Sequence, residues 1–311
     1  MNEWELIELL KSSGKSSEVR LSIGDDAAVL RYGSKYIVIT KDLMTEGTHF
    51  VIEGYPPFLL GRKLVNSNLS DISAMAGLPK YALLGISIRD GIGDDYIKEI
   101  LRGVEEELEK NGVILIGGDT VKGKSLTLSM TVIGECKRYV TRGGAKVGDS
   151  ILLSGPVGYS RAGLREFMRS GKIENQRAED RFFAGTNRLD LYPLISQSRV
   201  NAMIDVSDGF YQDLTHILRE SGRGAEIYLD NFPFDSYLDK MAKDEGISYY
   251  EFILNSGEEY ELIAIISEDE EDSFLKKGFL KAGKIIASNE IVFLKGQNRV
   301  QIRNLSFTHH F

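Results

Sequence analysis

Apolar and polar positions follow two different periods along this chain. Strands are predicted where apolar and polar side chains alternate or form short apolar runs, in residues 36–40, 81–88, 113–116, 126–132, 149–154, 200–206 and 262–266. Residues 94–110 instead repeat apolar side chains every three or four positions, with acidic residues on the opposite side. This period predicts an amphipathic helix that ends at Gly112.

A second helix is predicted from Pro57 to Gly77, because proline begins helices and glycine ends them. One of its faces, read at a spacing of three and four residues, combines apolar side chains with Asn68 and Asp71. A buried carboxylate costs free energy unless it is paired or bound to a metal. Asp71 therefore either belongs to a site or lies where the helix end reaches solvent.

Carboxylates recur at turns and at the ends of predicted strands. The glycine-led turn at residues 24–26 carries two aspartates, and residues 205–208 repeat that arrangement around a serine. Most acidic turns are simply solvated. Their recurrence favours the hypothesis that the aspartates converge on one metal–phosphate site. Carboxylates without a cysteine or histidine cluster suit a hard cation of the magnesium type better than zinc.

Composition narrows the classes of protein to consider. The chain has 311 residues and a formal net charge of -8, which argues against a general nucleic-acid binder. Its single cysteine, Cys136, excludes an internal disulfide. No apolar run reaches the ~18 residues of a membrane span, and no secretion signal is recognisable, so we expect a soluble cytoplasmic protein without membrane partners. Glycine-rich, aperiodic residues near 137–148 suggest domains at 1–137 and 138–311.

Residues 118–125 match the phosphate-loop pattern literally, with Lys124 and Ser125 in its last two places. That motif works only if a helix begins at the lysine, so that the helix N-terminus can hold the phosphates. The alternation in residues 126–132 predicts a strand at this point instead. We therefore reject the phosphate-loop interpretation.

Seven motifs in order resemble the thiamine-monophosphate kinase family, over nearly the whole chain. They are IGDDAA at 23–28, TKD with EGTHF at 40–50, NLSDISAM at 68–75, LIGGDT at 115–120, TRGGAK at 141–146, IDVSDG at 204–209 and SGEEYEL at 256–262. The resemblance implies the α/β (α+β), two-domain PurM-like fold of the aminoimidazole ribonucleotide synthetase superfamily. It also implies a homodimer whose N-terminal strands form a barrel at the interface.

The implied reaction is the transfer of the γ-phosphoryl group of ATP to thiamine monophosphate, with several Mg²⁺ ions. By position in the motifs, the implied metal ligands are Asp26, Thr40, Lys41, Asp42, Asp71, Asp119, Asp205 and Asp208. The implied nucleotide contacts are Gly118, Asp119, Arg142 and Ser207. The implied contacts to the thiamine phosphate are His49, Glu258 and Phe307.

The chemistry of such an acceptor removes the need for a catalytic acid, base or nucleophile. A phosphate monoester has a second pKa near ~6 and is largely ionised at neutral pH. We therefore expect direct in-line transfer, helped by positioning and metal charge. An aminoimidazole ribonucleotide synthetase-like ligase and a non-catalytic nucleotide- or metal-binding homologue remain alternatives. The superfamily members that need a terminal cysteine or selenocysteine are disfavoured, because Cys136 lies mid-chain.

Overall fold

The computed structural model describes residues 16–305, together with residues 7, 9 and 10, and the described part contains two β-sheets. The N-terminal sheet has six strands, β1 (Val19–Leu21), β2 (Ala28–Tyr32), β3 (Lys35–Thr45), β4 (Leu78–Ile88), β5 (Ile114–Lys122) and β6 (Thr127–Cys136). Their order is β1-β2-β3-β6-β4-β5, and only the β4–β5 pair is parallel. Strand β5 therefore forms an edge of this sheet.

The C-terminal sheet has seven strands in the order β13-β12-β9-β11-β7-β10-β8. They are β7 (Ser150–Leu153), β8 (Val200–Asp205), β9 (Gly224–Tyr228), β10 (Leu262–Ile266), β11 (Leu280–Ile286), β12 (Ile291–Lys295) and β13 (Asn298–Val300). Strands β7 and β10 are buried along their whole length, as their continuous apolar sequences require. The fold is thus mixed α/β, with one sheet from each half of the chain.

Nine α-helices are described around these sheets. They are α1 (Pro57–Ala74), α2 (Asp94–Lys110), α3 (Tyr159–Ser170), α4 (Gln176–Ala184), α5 (Tyr192–Ile195), α6 (Phe210–Ser221), α7 (Ser236–Asp244), α8 (Tyr249–Leu254) and α9 (Glu271–Leu275). No described helix is both long enough and apolar enough to cross a membrane.

Helix α1 is the central element, because it packs on both halves of the molecule. It contacts β3 and β6 on one side, and β8 and α4 on the other. Helix α2 covers it at close range, since an added Cβ on Gly61 would lie 2.1 Å from the Ile100 carbonyl oxygen. Surrounded in this way, α1 buries polar side chains as well as apolar ones. Lys63 and Ser70, among those polar side chains, contact carboxylates from the C-terminal half.

The opposite face of the N-terminal sheet, here called the outer face, is not covered by any of the described residues. Strand pairing places Tyr81, Leu83, Ile114 and Val121 on it, and each is at least 37% exposed. The edge strand β5 is exposed throughout. Large apolar side chains on an unpaired edge and an open sheet face are typical of an interface between proteins.

Several predicted strands are longer in the structure, and β3 and β5 are extended the most. The strand predicted at residues 36–40 continues to Thr45, because β6 pairs with it along its whole length. The strand predicted at 113–116 continues through the two glycines to Lys122, because β4 pairs with it. The rejection of a phosphate loop is confirmed, since Lys124 lies between two strands and no helix begins there.

Candidate active site

Three aspartate carboxylates from separate segments meet between the two sheets. Asp26 precedes β2, Asp71 lies in the last turn of α1, and Asp205 ends β8. Their ligand oxygens all lie within 4.8 Å of one another. The side chain of Asp26 is 1% exposed, and Asp205 is also buried. The structure thus brings together three of the predicted metal ligands, which we call the carboxylate cluster.

Burial and mutual repulsion raise the pKa values of the carboxylate cluster. The pKa of Asp71 lies well above its ordinary value, first because of burial and then because of the charges on Asp42 and Asp205. The pKa of Asp205 is raised to about 8 by burial, with a further contribution from Asp26. Such carboxylates cannot all be ionised near neutral pH unless a positive charge compensates them.

Hydroxyl groups fix the orientation of two members of the cluster. Ser70 Oγ donates a hydrogen bond to Asp205 Oδ2 over 2.6 Å, which joins α1 to β8. Thr40 Oγ1, on β3, donates to Asp71 Oδ2. Both hydroxyls are buried. A carboxylate held in this way keeps its direction when a ligand arrives, which is what a preorganised site requires.

Arg142 is a nearby positive charge. Its guanidinium donates from Nε and Nη2 to Asp26 Oδ1, at 3.2 and 2.5 Å, and its backbone N–H donates to Asp25 Oδ2 at 3.2 Å. The second oxygen of Asp26, Oδ2, is buried and has no hydrogen-bond partner among the described residues. A buried acceptor without a partner is costly, and a bound cation would satisfy it.

Asp42 lies beside the carboxylate cluster on β3. Its backbone N–H donates to Asn68 Oδ1 at 3.1 Å, and the Ser67 hydroxyl lies near its carboxylate. Burial is the main cause of the raised pKa of Asp42. The nearby Ser67 hydroxyl lowers this pKa, and the charge of Glu258 raises it further. Helix α1 therefore orients Asp42 as well as carrying Asp71.

These carboxylates open into a cleft of about 880 Å³ between the two halves of the molecule. The predicted ligands that line the cleft are Asp42, Asp71, Asp205 and Asp208, together with His49, Ser207 and Glu258. Its apolar walls include Phe50, Tyr55, Phe167, Phe182 and Tyr260. Acidic and aromatic side chains thus line one cleft, which suits a ligand that carries both phosphate and flat rings.

The imidazole of His49 is oriented by its own turn. Its Nδ1 accepts the backbone N–H of Thr45 at 3.0 Å, so the proton of the neutral ring lies on Nε2. His49 lines the cleft, and the predicted substrate contact is therefore compatible with its position.

Three predicted residues lie away from the cleft in this chain. Lys41 points to the outer face, where its Nζ donates to Ser129 Oγ at 2.8 Å, because strand neighbours alternate between faces. Gly118 of β5 lies at the same level of the sheet as Asp42 of β3, but strands β4 and β6 lie between them. Three strand spacings, ~14 Å, therefore separate the two residues. Asp119 follows on the exposed edge strand. Phe307 lies outside the described residues.

A second group of potential ligands surrounds Asp208. Its carboxylate, that of Asp213 and the His216 ring have ligand atoms within 4.8 Å of one another. Asp213 Oδ2 accepts the backbone N–H groups of Asp208 and Gly209 at 3.1 and 3.0 Å. Burial, and then Arg142, lower the pKa of His216 to about 4, so this ring is neutral. The prediction missed Asp213 and His216, although their spacing of three within an amphipathic helix was a usable signal.

The prediction also missed part of the polar side of α1. Lys63, Ser67 and Ser70 are buried, and each contacts a carboxylate of the cleft. Their spacing of three and four residues places them along one side of the helix, with Asp71. That spacing was visible in the sequence, but the acidic partners of Lys63 and Ser70 are more than a hundred residues away.

Comparison with known proteins agrees with this arrangement. Residues 24–136 match the family model for AIR synthase related proteins, N-terminal domain, and residues 146–285 match the C-terminal domain of the same proteins. A thiamine-monophosphate kinase from Aquifex aeolicus is 33% identical over 301 residues, which is 96% of this chain and 95% of the relative. The enzyme of that name from Bacillus subtilis is 32% identical over 281 residues, 87% of this chain and 85% of the relative.

A solved structure has a closely similar backbone. It is described as AaThiL complexed with AMPPCP and TMP, and it superposes with a TM-score of 0.87 at 30% identity, covering 99% of this chain and 97% of that one. The similarity therefore extends through both sheets and through the segments that form the cleft.

Proposed function

The chain belongs to the thiamine-monophosphate kinases within the AIR synthase related proteins, and from this premise we propose that it transfers the γ-phosphoryl group of ATP to thiamine monophosphate. The observation that carries the proposal is the carboxylate cluster beside a cleft that carboxylates and aromatic side chains line together. A related chain has been solved with AMPPCP and TMP, which supplies the ligand classes.

The carboxylate cluster fits magnesium. Asp26, Asp71 and Asp205 supply hard oxygen ligands within 4.8 Å of one another, and Asp42 and Asp208 line the same cleft. The buried Oδ2 of Asp26 lacks a hydrogen-bond partner among the described residues, as a metal-ligand oxygen would without its ion. Bound Mg²⁺ supplies positive charge that neutralises phosphate oxygens during phosphoryl transfer.

The other residues of the cleft position the two substrates. Arg142 and Ser207 lie beside the carboxylate cluster and the cleft, where they would contact the nucleotide. His49 and Glu258 line the same cleft, where they would contact the acceptor. No side chain needs to remove a proton, since the attacking phosphate is already ionised. Positioning two anionic groups in line is then the main task of the protein.

The outer face of the N-terminal sheet is the proposed contact with a second copy of this chain. Tyr81, Leu83, Ile114 and Val121 expose apolar surface there, beside an unpaired edge strand. Two such faces in contact would complete the predicted barrel at a homodimer interface. Asp119 lies on this edge, so its predicted contacts to nucleotide and metal would depend on the dimer.

The test is to incubate the purified protein with ATP, Mg²⁺ and thiamine monophosphate, and to separate the thiamine species by chromatography. We expect thiamine diphosphate and ADP in equal amounts, and loss of both on chelation. If ATP is consumed only when formylglycinamidine ribonucleotide is supplied, the assignment moves to a synthetase-like ligase. If neither substrate turns over while ATP still binds, the protein is a non-catalytic homologue.

A further inference from the structure

Lys63 is a buried cation without a role in the reaction described so far. It lies in the middle of α1, and its side chain is 1% exposed. Its Nζ lies 2.8 Å from Glu258 Oε2 and 5.2 Å from the centroid of the Phe182 ring. Burying an ammonium group is costly unless it is paired, and these contacts compensate that cost. Lys63 thus forms its ion pair with a single carboxylate, that of Glu258.

That carboxylate belongs to the cleft. The side chain of Glu258 is 35% exposed and lines the cleft, whereas Lys63 does not. The ion pair engages Oε2, so Oε1 remains to accept a hydrogen bond from a ligand. Lys63 therefore stands behind Glu258 as seen from the cleft.

The backbone at Glu258 is also held in an unusual conformation. Its φ is +54° and that of Tyr260 is +52°, in the left-handed region that residues with a Cβ rarely adopt. The Glu258 N–H donates to the Ser207 carbonyl at 2.7 Å, and the Tyr260 N–H donates to the Val206 carbonyl at 2.8 Å. Such a conformation persists only where surrounding contacts enforce it, and it is common at ligand sites.

The geometry places Lys63 at a useful distance from the carboxylate cluster. Eight residues of α1 separate it from Asp71, which is ~12 Å along the helix axis. One rigid helix therefore carries a metal ligand at one position and the support of Glu258 at the other. If the phosphate of the acceptor lies at Asp71 and its ring lies at Glu258, this one helix would position both ends of the acceptor.

We propose that Lys63 is a positioning residue for the acceptor, an inference that rests on the proposed function. It holds the Glu258 carboxylate of the C-terminal half against the helix of the N-terminal half, and so aims it at the ring end of thiamine monophosphate. Lys63 touches neither substrate. Its loss should therefore weaken binding of the acceptor and leave ATP binding and the transfer step nearly unchanged.

The experiment measures KM for each substrate and kcat in Lys63→Met, Glu258→Gln and the double variant. Lys63→Met should raise the KM for thiamine monophosphate about tenfold, as expected for loss of a hydrogen bond to a charged group. The KM for ATP and kcat should stay within about threefold. The double variant should be no worse than Glu258→Gln alone, since Lys63 acts only through Glu258. Arg62→Met is the matched control. Arg62 neighbours Lys63 on α1 but pairs with Glu107 of α2, away from the cleft, so its loss should change neither KM.

An unchanged KM for thiamine monophosphate in folded Lys63→Met would overturn the inference, and so would additive effects in the double variant. Should Lys63→Met fail to fold, Lys63→Arg decides. Arginine keeps the positive charge, but its larger guanidinium group displaces the Glu258 carboxylate. The KM for the acceptor should therefore rise at least about threefold while the KM for ATP stays constant. An inactive parent protein contradicts the proposed function itself. An active parent with an unchanged Lys63 variant contradicts only this inference.

Discussion

Replacing Asp205 by asparagine should stabilise the metal-free protein and flatten its dependence on pH. The pKa of Asp205 is raised from 3.8 to about 8, mainly by burial and then by Asp26. The folded state therefore binds a proton more tightly than the unfolded state between these two values. The free energy of unfolding is highest below the lower value, and it falls as pH rises towards the upper one. Asparagine carries no charge and still offers Ser70 an acceptor oxygen.

The size of the stability change follows from the pH interval between the two pKa values of Asp205. Each pH unit inside it costs about 1.4 kcal/mol for one proton. Between pH 5 and pH 7, Asp205 alone should lower the free energy of unfolding by about 3 kcal/mol. Asp71, whose pKa is also raised, adds to the loss in the parent protein. Asp205→Asn should therefore lose about 3 kcal/mol less than the parent over the same interval.

Urea unfolding followed by circular dichroism, in EDTA at pH 5 and pH 7, measures this difference. Asp95→Asn, at an exposed carboxylate on α2, controls for the loss of one negative charge. Added Mg²⁺ at pH 7 should stabilise the parent more than Asp205→Asn, because only the parent keeps all three carboxylates. The reasoning is refuted if the parent and Asp205→Asn lose the same stability between the two pH values, or if the variant is the less stable protein at pH 7.

Three further outcomes are expected. Asp71→Asn should lower kcat at least about a thousandfold with an unchanged circular dichroism spectrum, and activity within a few-fold of the parent would mean that the site is misplaced. Leu83→Lys should convert a dimer to a monomer in light scattering, whereas Phe234→Lys, at an exposed aromatic residue of the other half, should not. No radiolabel from γ-labelled ATP should remain on the denatured protein, because direct transfer forms no phosphoenzyme.

The spacing of apolar side chains alone predicted most of the strands that form the two sheets. The helix predicted at 94–110 coincides with α2, because a long amphipathic pattern leaves little ambiguity. Strand β5 was underestimated, since Gly117 and Gly118 disfavour strands locally. The structure gives Gly118 a packing reason, because a Cβ there would lie 1.8 Å from the Leu84 carbonyl oxygen. Pairing with β4 overrides the weak local preference.

The site was harder to predict than the fold, because its partners are far apart in sequence. Recurrent aspartates suggested convergence, and Asp26, Asp71 and Asp205 do meet. Neither local period nor composition, however, could show that Ser70 would meet Asp205 from 135 residues away. Nor could they show that Lys63 would meet Glu258 across 195 residues. Such contacts depend on how the two sheets enclose α1.

The distribution of charge explains how an acidic protein can bring two phosphates together. Arg142 neutralises Asp26 at one side of the carboxylate cluster, and Lys63 neutralises Glu258 towards the aromatic walls. Asp71 and Asp205, between them, receive hydroxyl hydrogen bonds but no side-chain ion pair among the described contacts. The carboxylates that need a bound cation to stay ionised at neutral pH are therefore concentrated where the phosphates must meet. Cations bound there would remove the repulsion between the carboxylates and the phosphates, and they would also stabilise the charge that develops during phosphoryl transfer.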